Sequence, residues 1–318
     1  MIGLDLDGTL LNEKKELTPR TRLALRKALD AGVVVLVATG RPWMGVPEEL
    51  RNFPGMRYAL TSNGARIVNT ADGSVLEEHL LSPELGKRAL EICGKYDTLQ
   101  EIYFDGQGYV CEEKMAQVEK YHRNPNMWEY LRTTRKPVPD LMELLKKENR
   151  GMDKAQALFA DMEERKRAWE ELEQVDGLTL VGSLRYNIEI NAAGVNKGSG
   201  LIRLGELLGI RREEIMACGD GDNDTVMLRE AGFGVATANA EEQVKEAADY
   251  ITDSNEEDGV AKAIEKFVLG GEREYVRCIE SDHIWNRGRH HGMASDQQYG
   301  TSDPDGRIPE AGPEQGVL

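Results

Sequence analysis

Met1-Ile2-Gly3-Leu4-Asp5-Leu6-Asp7-Gly8-Thr9 is a short apolar run that ends in two carboxylates, a glycine and a threonine. Residues 1–4 read as a buried strand. Thr18-Pro19 then supplies an N-cap and a first-turn proline. Leu23, Leu25, Ala28 and Leu29 give a helix its apolar face, and Gly32 ends it. Residues 33–38 form an unbroken apolar run rich in β-branched side chains, the pattern of a strand covered on both faces. Strand, helix and strand in this order make a βαβ unit, which predicts a parallel sheet.

The same alternation returns late in the chain. Helices are expected over 200–208, 225–231, 240–248 and 260–269, and short strands over 215–218, 233–236 and 250–252. Together the two parts, 1–81 and 191–271, predict an α/β fold with a doubly wound, Rossmann-like parallel sheet. Between them the pattern changes. A helix starts at Ser82-Pro83, and strands over 99–104 and 109–112 flank the hairpin signal Asp105-Gly106-Gln107-Gly108. A strand over 155–159, a charged helix over 162–174 and paired strands over 178–184 and 186–190 follow. Residues 82–190 are therefore expected to be an α+β module inserted into the parallel-sheet domain. Residues 272–318 have little apolar periodicity and read as a disordered tail. Its histidines, His283, His290 and His291, fit a polar linker better than a metal site.

The chain has 318 residues, 40% hydrophobic and 30% charged, with a formal net charge of -16. So acidic a chain is a poor partner for nucleic acid or an anionic membrane, which need a basic face. A small phosphorylated metabolite remains open, because its charge can be met locally. Cys93, Cys111, Cys218 and Cys278 form no C-x-x-C pair, and neither a membrane span nor a signal peptide is evident, so cytoplasmic, reduced thiols are expected.

Ligands of open α/β sheets bind beyond the carboxyl ends of the strands, which is where Asp5 and Asp7 fall. Two carboxylates so placed repel unless a cation lies between them or one keeps a proton. Either outcome is useful, as a metal site or as an acid/base beside a nucleophile. An acidic turn is the plain alternative. Thr39-Gly40-Arg41 ends the second strand with a hydroxyl and free N–H groups that suit a phosphate oxygen, and Thr61-Ser62-Asn63-Gly64 has the same standing or is a simple turn. Lys197 precedes a helix, where anions are already favoured. Gly219-Asp220-Gly221-Asp222-Asn223-Asp224 offers an all-oxygen donor set of the kind that suits Mg²⁺. Capping of the next helix would explain one of its aspartates but not three.

These four segments, in this order, resemble the haloacid dehalogenase-like hydrolase superfamily, and most closely its Cof-type phosphatases, over residues 1–270. The resemblance implies a Mg²⁺-dependent phosphatase of a small phosphate monoester. Asp5 would be the nucleophile that forms an aspartyl-phosphate, and Asp7 the general acid/base. Mg²⁺ would be held by the Asp5 side chain, the Asp7 carbonyl and Asp220, with Asp224 in support. Leu6, Thr39, Gly40, Lys197 and Asn223 would hold the phosphoryl group. The inserted module would be the specificity cap, in which Tyr103, Trp128 and Arg185 are candidate contacts. The first strand is short for such a protein, so either some sheet pairing is lost or the start is misplaced. A phosphomutase of the same superfamily and a non-catalytic phospho-ligand sensor are the alternatives.

Overall fold

A computed structural model describes residues 1–270, apart from the side chain of Asn126. The expected tail over 272–318, with its histidines and Cys278, lies outside the described residues. The strands are β1 (Ile2–Leu4), β2 (Val35–Ala38), β3 (Tyr58–Thr61), β4 (Arg66–Asn69), β5 (Val75–Glu78), β6 (Thr98–Phe104), β7 (Gln107–Cys111), β8 (Arg135–Val138), β9 (Lys154–Phe159), β10 (Leu178–Val181), β11 (Asn187–Ala192), β12 (Met216–Gly219), β13 (Phe233–Ala236) and β14 (Tyr250–Ile251). They form two sheets. One has the order β14-β13-β12-β1-β2-β3-β4-β5 and the other β10-β11-β9-β6-β7-β8.

The first sheet is parallel from β14 to β3, and β4 and β5 then add an antiparallel edge. Period-two alternation sends Ile2, Leu4, Val35, Val37, Met216 and Cys218 to one face, beneath the helices Pro19–Asp30 and Gly259–Phe267. Leu36, Ala38, Ala217 and Ala236 face the other way, against the helices Lys197–Leu208, Thr225–Glu230 and Glu242–Ala247. Helices on both faces make it the doubly wound arrangement expected from the sequence.

Three expectations are corrected. The short β1 loses no pairing: all three of its residues pair with β12 on one side and β2 on the other. The edge β4–β5 was not foreseen in a sheet expected to be parallel. In the β6–β7 hairpin the turn is only Asp105-Gly106, both with positive φ (50° and 74°), and Gln107 and Gly108 belong to β7. A two-residue turn with both residues left-handed matches the twist of the strands, so the longer loop is unnecessary.

The second sheet has two unlike faces. Ile102, Ala155, Ala157, Ile188 and Ile190 pack against the helices Pro83–Cys93, Leu141–Glu148 and Met162–Leu172. The opposite face carries the cross-strand row Glu101, Gln156 and Glu189, with Tyr103 beside Lys154 in the next register. All five side chains are buried. Ionisable groups are rarely buried unless paired, so this polar face has to be accounted for.

Candidate active site

Parallel register fixes where the site can be. Leu4 lies opposite Val37 and Cys218, so the chain leaves β1, β2 and β12 at one edge of the sheet. Asp5, Thr39 and Asp220 therefore emerge side by side. The Asp5 N–H donates to the Cys218 carbonyl at 3.0 Å, which extends the pairing into the site. Lys197 comes from above. It is the first residue of its helix, behind the cap Asn196, whose side chain accepts from the Ser199 N–H. That helix sits low on the sheet because β1 has Gly3 beneath it; a Cβ there would come within 2.8 Å of Leu201.

Asp5, Asp220 and Asp224 each offer a carboxylate oxygen within 4.8 Å of the others. The Lys197 ammonium donates to Asp5 Oδ1 at 2.6 Å and to Asp224 Oδ1 at 2.7 Å. Asp224 also accepts from the Asp220 and Gly221 N–H groups at 3.1 and 3.0 Å, which fixes the turn between them. Thr9 donates its hydroxyl to Asp220 Oδ1 at 2.6 Å. Gly8 has φ +88°, and a Cβ on it would overlap the Asp220 carboxylate. Only glycine lets the loop after β1 lie this close.

Two buried carboxylates and a half-buried one against one ammonium leave negative charge unmatched, which works against their ionisation. Burial, followed by the Asp224 charge, pushes Asp5 well above the usual carboxylate range, although Lys197 opposes both. Asp220 is pushed up to about 6 by burial and then by Asp224. Burial works against the Lys197 charge, yet Asp224 and Asp5 outweigh it and hold the ammonium well above an ordinary lysine. The residues fit a hard cation: the donors are all oxygens and the pocket has charge to spare.

Asp7 stands apart from this cluster. Arg41 grips it through Nε and Nη2 at 2.7 and 2.6 Å, and Lys15 reaches it at 2.8 Å. Burial works to raise its pKa, but Arg41 and Lys15 prevail and hold it at about 2. Lys15 has φ +64°, a strained setting for a lysine that costs about 1–2 kcal/mol. Thr39 is buried and its hydroxyl accepts from the Arg41 N–H at 3.1 Å. Asn223 is buried beside Asp224, and Leu6 is fully buried, its carbonyl accepting from the Leu11 N–H.

The polar face of the second sheet reaches this edge. A Cβ on Gly40 would lie 2.9 Å from Asn63 Oδ1 and 3.1 Å from Glu189 Oε2. Glu189 accepts from Lys154 and from Asn63 at 2.6 Å each, and from the Ser183 hydroxyl at 2.5 Å. Asn191 donates to the Ser62 carbonyl, and Arg66 meets Asp153 at 2.6 Å. The two sheets are thus joined by polar contacts beside Thr39-Gly40.

A family model described as haloacid dehalogenase-like hydrolase matches residues 2–264. The chain belongs to this family. It is 34% identical over 269 residues to a 5-amino-6-(5-phospho-D-ribitylamino)uracil phosphatase of Bacillus subtilis, covering 85% of this chain and 96% of the relative. Among solved structures, a haloacid dehalogenase-like hydrolase from B. subtilis superposes with a TM-score of 0.76 at 28% identity, over 84% of this chain and 99% of that one. Another from Bacteroides thetaiotaomicron gives 0.69 at 31% identity, over 84% and 98%. As a haloacid dehalogenase-like phosphatase, the chain is a phosphoric monoester hydrolase. No described helix is long and apolar enough to cross a membrane.

The structure brings Asp5, Lys197, Asp220 and Asp224 together and places Thr39, Gly40, Asn223 and Leu6 around them. It puts the Asp7 carboxylate outside the acidic cluster. Sequence reading missed Arg41, Lys15, Thr9 and Glu189. A signal existed for Glu189, because Asn187, Glu189 and Asn191 alternate with Ile188 and Ile190. None existed for Lys15, whose role depends on a turn. Of the suggested cap contacts, Tyr103 is wholly buried and bonded to Glu101 and Arg135, Trp128 donates to the His122 carbonyl, and Arg185 is exposed.

Proposed function

We propose that this phosphatase uses Mg²⁺ and an aspartyl-phosphate on Asp5 to hydrolyse a small phosphorylated metabolite. The observation that carries the reading is the Lys197 ammonium held between Asp5 and Asp224, within a cluster that keeps more negative than positive charge. Asp5, Asp220 and the Asp7 carbonyl would hold the cation, with Asp224 behind them. When bound, it neutralises charge on the phosphoryl oxygens as they pass through the transition state. Thr39, Gly40, Lys197, Asn223 and the Leu6 backbone would orient the same group.

Asp5 attacks phosphorus and the ester oxygen departs with a proton from Asp7. A water then attacks the aspartyl-phosphate while Asp7 takes its proton, and inorganic phosphate leaves. Arg41 and Lys15 keep Asp7 ionised, so it can take the proton of the water in the second half-reaction, but they also make it a weak base until it loosens from them. Proton donation in the first half requires Asp7 to loosen from those cations. Residues 82–190, which carry the second sheet up to the last two residues of β11, serve as the cap that meets the leaving group, with residues 1–81 and the chain from 191 through the helix Gly259–Phe267 as the catalytic core. The relative that acts on a phosphoribityl compound supports a metabolite-sized substrate. Free Cys93, Cys111 and Cys218 suit a reducing compartment such as the cytoplasm.

The test is phosphate release from p-nitrophenyl phosphate with Mg²⁺, repeated after chelation and in Asp5→Asn. Both changes should abolish turnover, by at least about three orders of magnitude for the nucleophile. Substantial turnover in Asp5→Asn would overturn the mechanism.

A further inference from the structure

A cavity of about 450 Å³ opens beside Asp7, lined by Glu13, Lys14, Lys15, Arg41, Met127 and Tyr130. Two of these residues bind the Asp7 carboxylate itself, so the cavity adjoins the group assigned to the leaving oxygen. The remainder of a substrate has to lie somewhere near that oxygen.

The walls have a definite chemistry. In a chain with a net charge of -16, three of the six lining residues are cationic and one is acidic. Counting Asp7 with Glu13 still leaves one positive charge in excess. Arg41 is fully engaged: Nε and Nη2 hold Asp7, Nη1 donates to the Gly45 carbonyl at 2.9 Å, and its face lies over the Tyr130 ring at 4.6 Å. Lys15 is engaged with Asp7. Lys14 is exposed and has no ion pair among the described residues.

The backbone around Lys14 is held in place. It sits in a turn closed by the Lys15 N–H on the Asn12 carbonyl at 2.9 Å and the Glu16 N–H on Asn12 Oδ1 at 2.8 Å. The Glu13 N–H donates to Glu256 at 2.5 Å and Asn255 donates to the Leu11 carbonyl at 2.9 Å, which ties the turn to the core. The fixed turn keeps the root of this side chain at the cavity, where its flexible stem can bring an unpaired ammonium within reach of an anion. Met127 adds an apolar side chain to the lining.

We propose that the leaving group occupies this cavity and that Lys14 selects substrates whose leaving group carries a second anionic group, a carboxylate or a further phosphate. The proposal rests on the assignment of Asp7 to the leaving oxygen. A neutral polyol of equal size gives Lys14 only an uncharged acceptor, whereas an anion gives it a charge-assisted bond.

Matched esters test it. kcat/KM would be measured with Mg²⁺ for 3-phosphoglycerate against glycerol 3-phosphate, and for a propanediol bisphosphate against the corresponding hydroxypropyl phosphate, in the native protein, Lys14→Gln and Lys14→Glu. The anionic member should be preferred by on the order of tenfold, the size of one hydrogen bond to a charged group. Lys14→Gln should remove the preference and Lys14→Glu reverse it. A response in only one pair identifies carboxylate or phosphate as the anion. Equal rates in the native protein, or a preference that survives Lys14→Glu, would overturn the proposal. If p-nitrophenyl phosphate turnover still required Asp5, the phosphatase mechanism would stand while this inference fell; absence of any turnover would remove both.

Discussion

Glu189→Gln is the most informative single change to the polar face of the second sheet. Lys154 and Glu189 are 2% and 5% exposed at the side chain and 2.6 Å apart. The other acceptor of Lys154 is the neutral Gln156 Oε1 at 3.2 Å, and the Tyr103 ring lies 5.0 Å from its ammonium. Glu189 is thus the only carboxylate bonded to this buried cation among the described residues. Breaking such a pair by neutralising one partner costs about 3–5 kcal/mol, since the other charge stays buried and unmatched. Glutamine can still accept one hydrogen bond from Lys154, which places the expected loss near ~3 kcal/mol. Neutralising both, in Lys154→Met with Glu189→Gln, should recover most of it, because the isolated charge is gone. Urea unfolding of the native protein, both single variants and the double variant gives the coupling energy directly. A loss below about 1 kcal/mol in Glu189→Gln, or a double variant no better than the single, would refute the view that these charges are held by each other.

Two further outcomes follow from the geometry. Burial lowers His122 to about 4, and Tyr186 meets its Nδ1 at 3.1 Å, so the folded protein keeps it neutral. The unfolded chain protonates it near its ordinary value of 6.5, so stability is intact above that pH and falls as the pH drops from 6.5 toward 4, by about 3 kcal/mol in all. His122→Gln should flatten that part of the stability-versus-pH curve, and an unchanged slope would show that His122 is not buried as described. Gly8→Ala should raise the Mg²⁺ concentration needed for half-maximal activity by tenfold or more, because its Cβ displaces the Asp220 carboxylate, with a backbone cost of about 1–2 kcal/mol. Normal metal dependence in that variant would mean that Asp220 is not a ligand.

The parallel sheet was legible because its strands are apolar on both faces and its helices carry ordinary caps, so local chemistry and global fold agree. The turn at Asp220 stood out because three aspartates beside glycines have few structural uses, whereas Asp5 and Lys197 took their roles from the resemblance rather than from their own segments. The segment over 112–150 was not. Its helices Glu112–Met115 and Val118–Tyr121 are single turns in polar sequence, and β8 carries Lys136 and Pro137, so no periodicity announces them. β4 and β5 escaped for a related reason: an edge hairpin adds to a sheet without a crossover helix to mark it. Arg41 and Lys15 show the limit most clearly. Their partner is Asp7, 34 residues from Arg41, and only the folded turn after β1 brings the three together.

The middle strand of the parallel sheet is made early and completed late. β1 begins at Ile2, whereas its neighbour β12 begins at Met216. At the usual pace of translation, about 5–20 residues per second, Ile2 and Leu4 wait roughly ten to forty seconds for their second partner. During that interval β1 can pair only with β2, and one edge of the nascent βαβ unit stays open. The acidic cluster shares this delay, since Asp5 is synthesised long before Lys197 and Asp220 exist. That cluster therefore assembles in one late event, once β12 and the turn after it pair with β1. A ribosome stalled anywhere before residue 220 would carry Asp5 without the residues that gather around it.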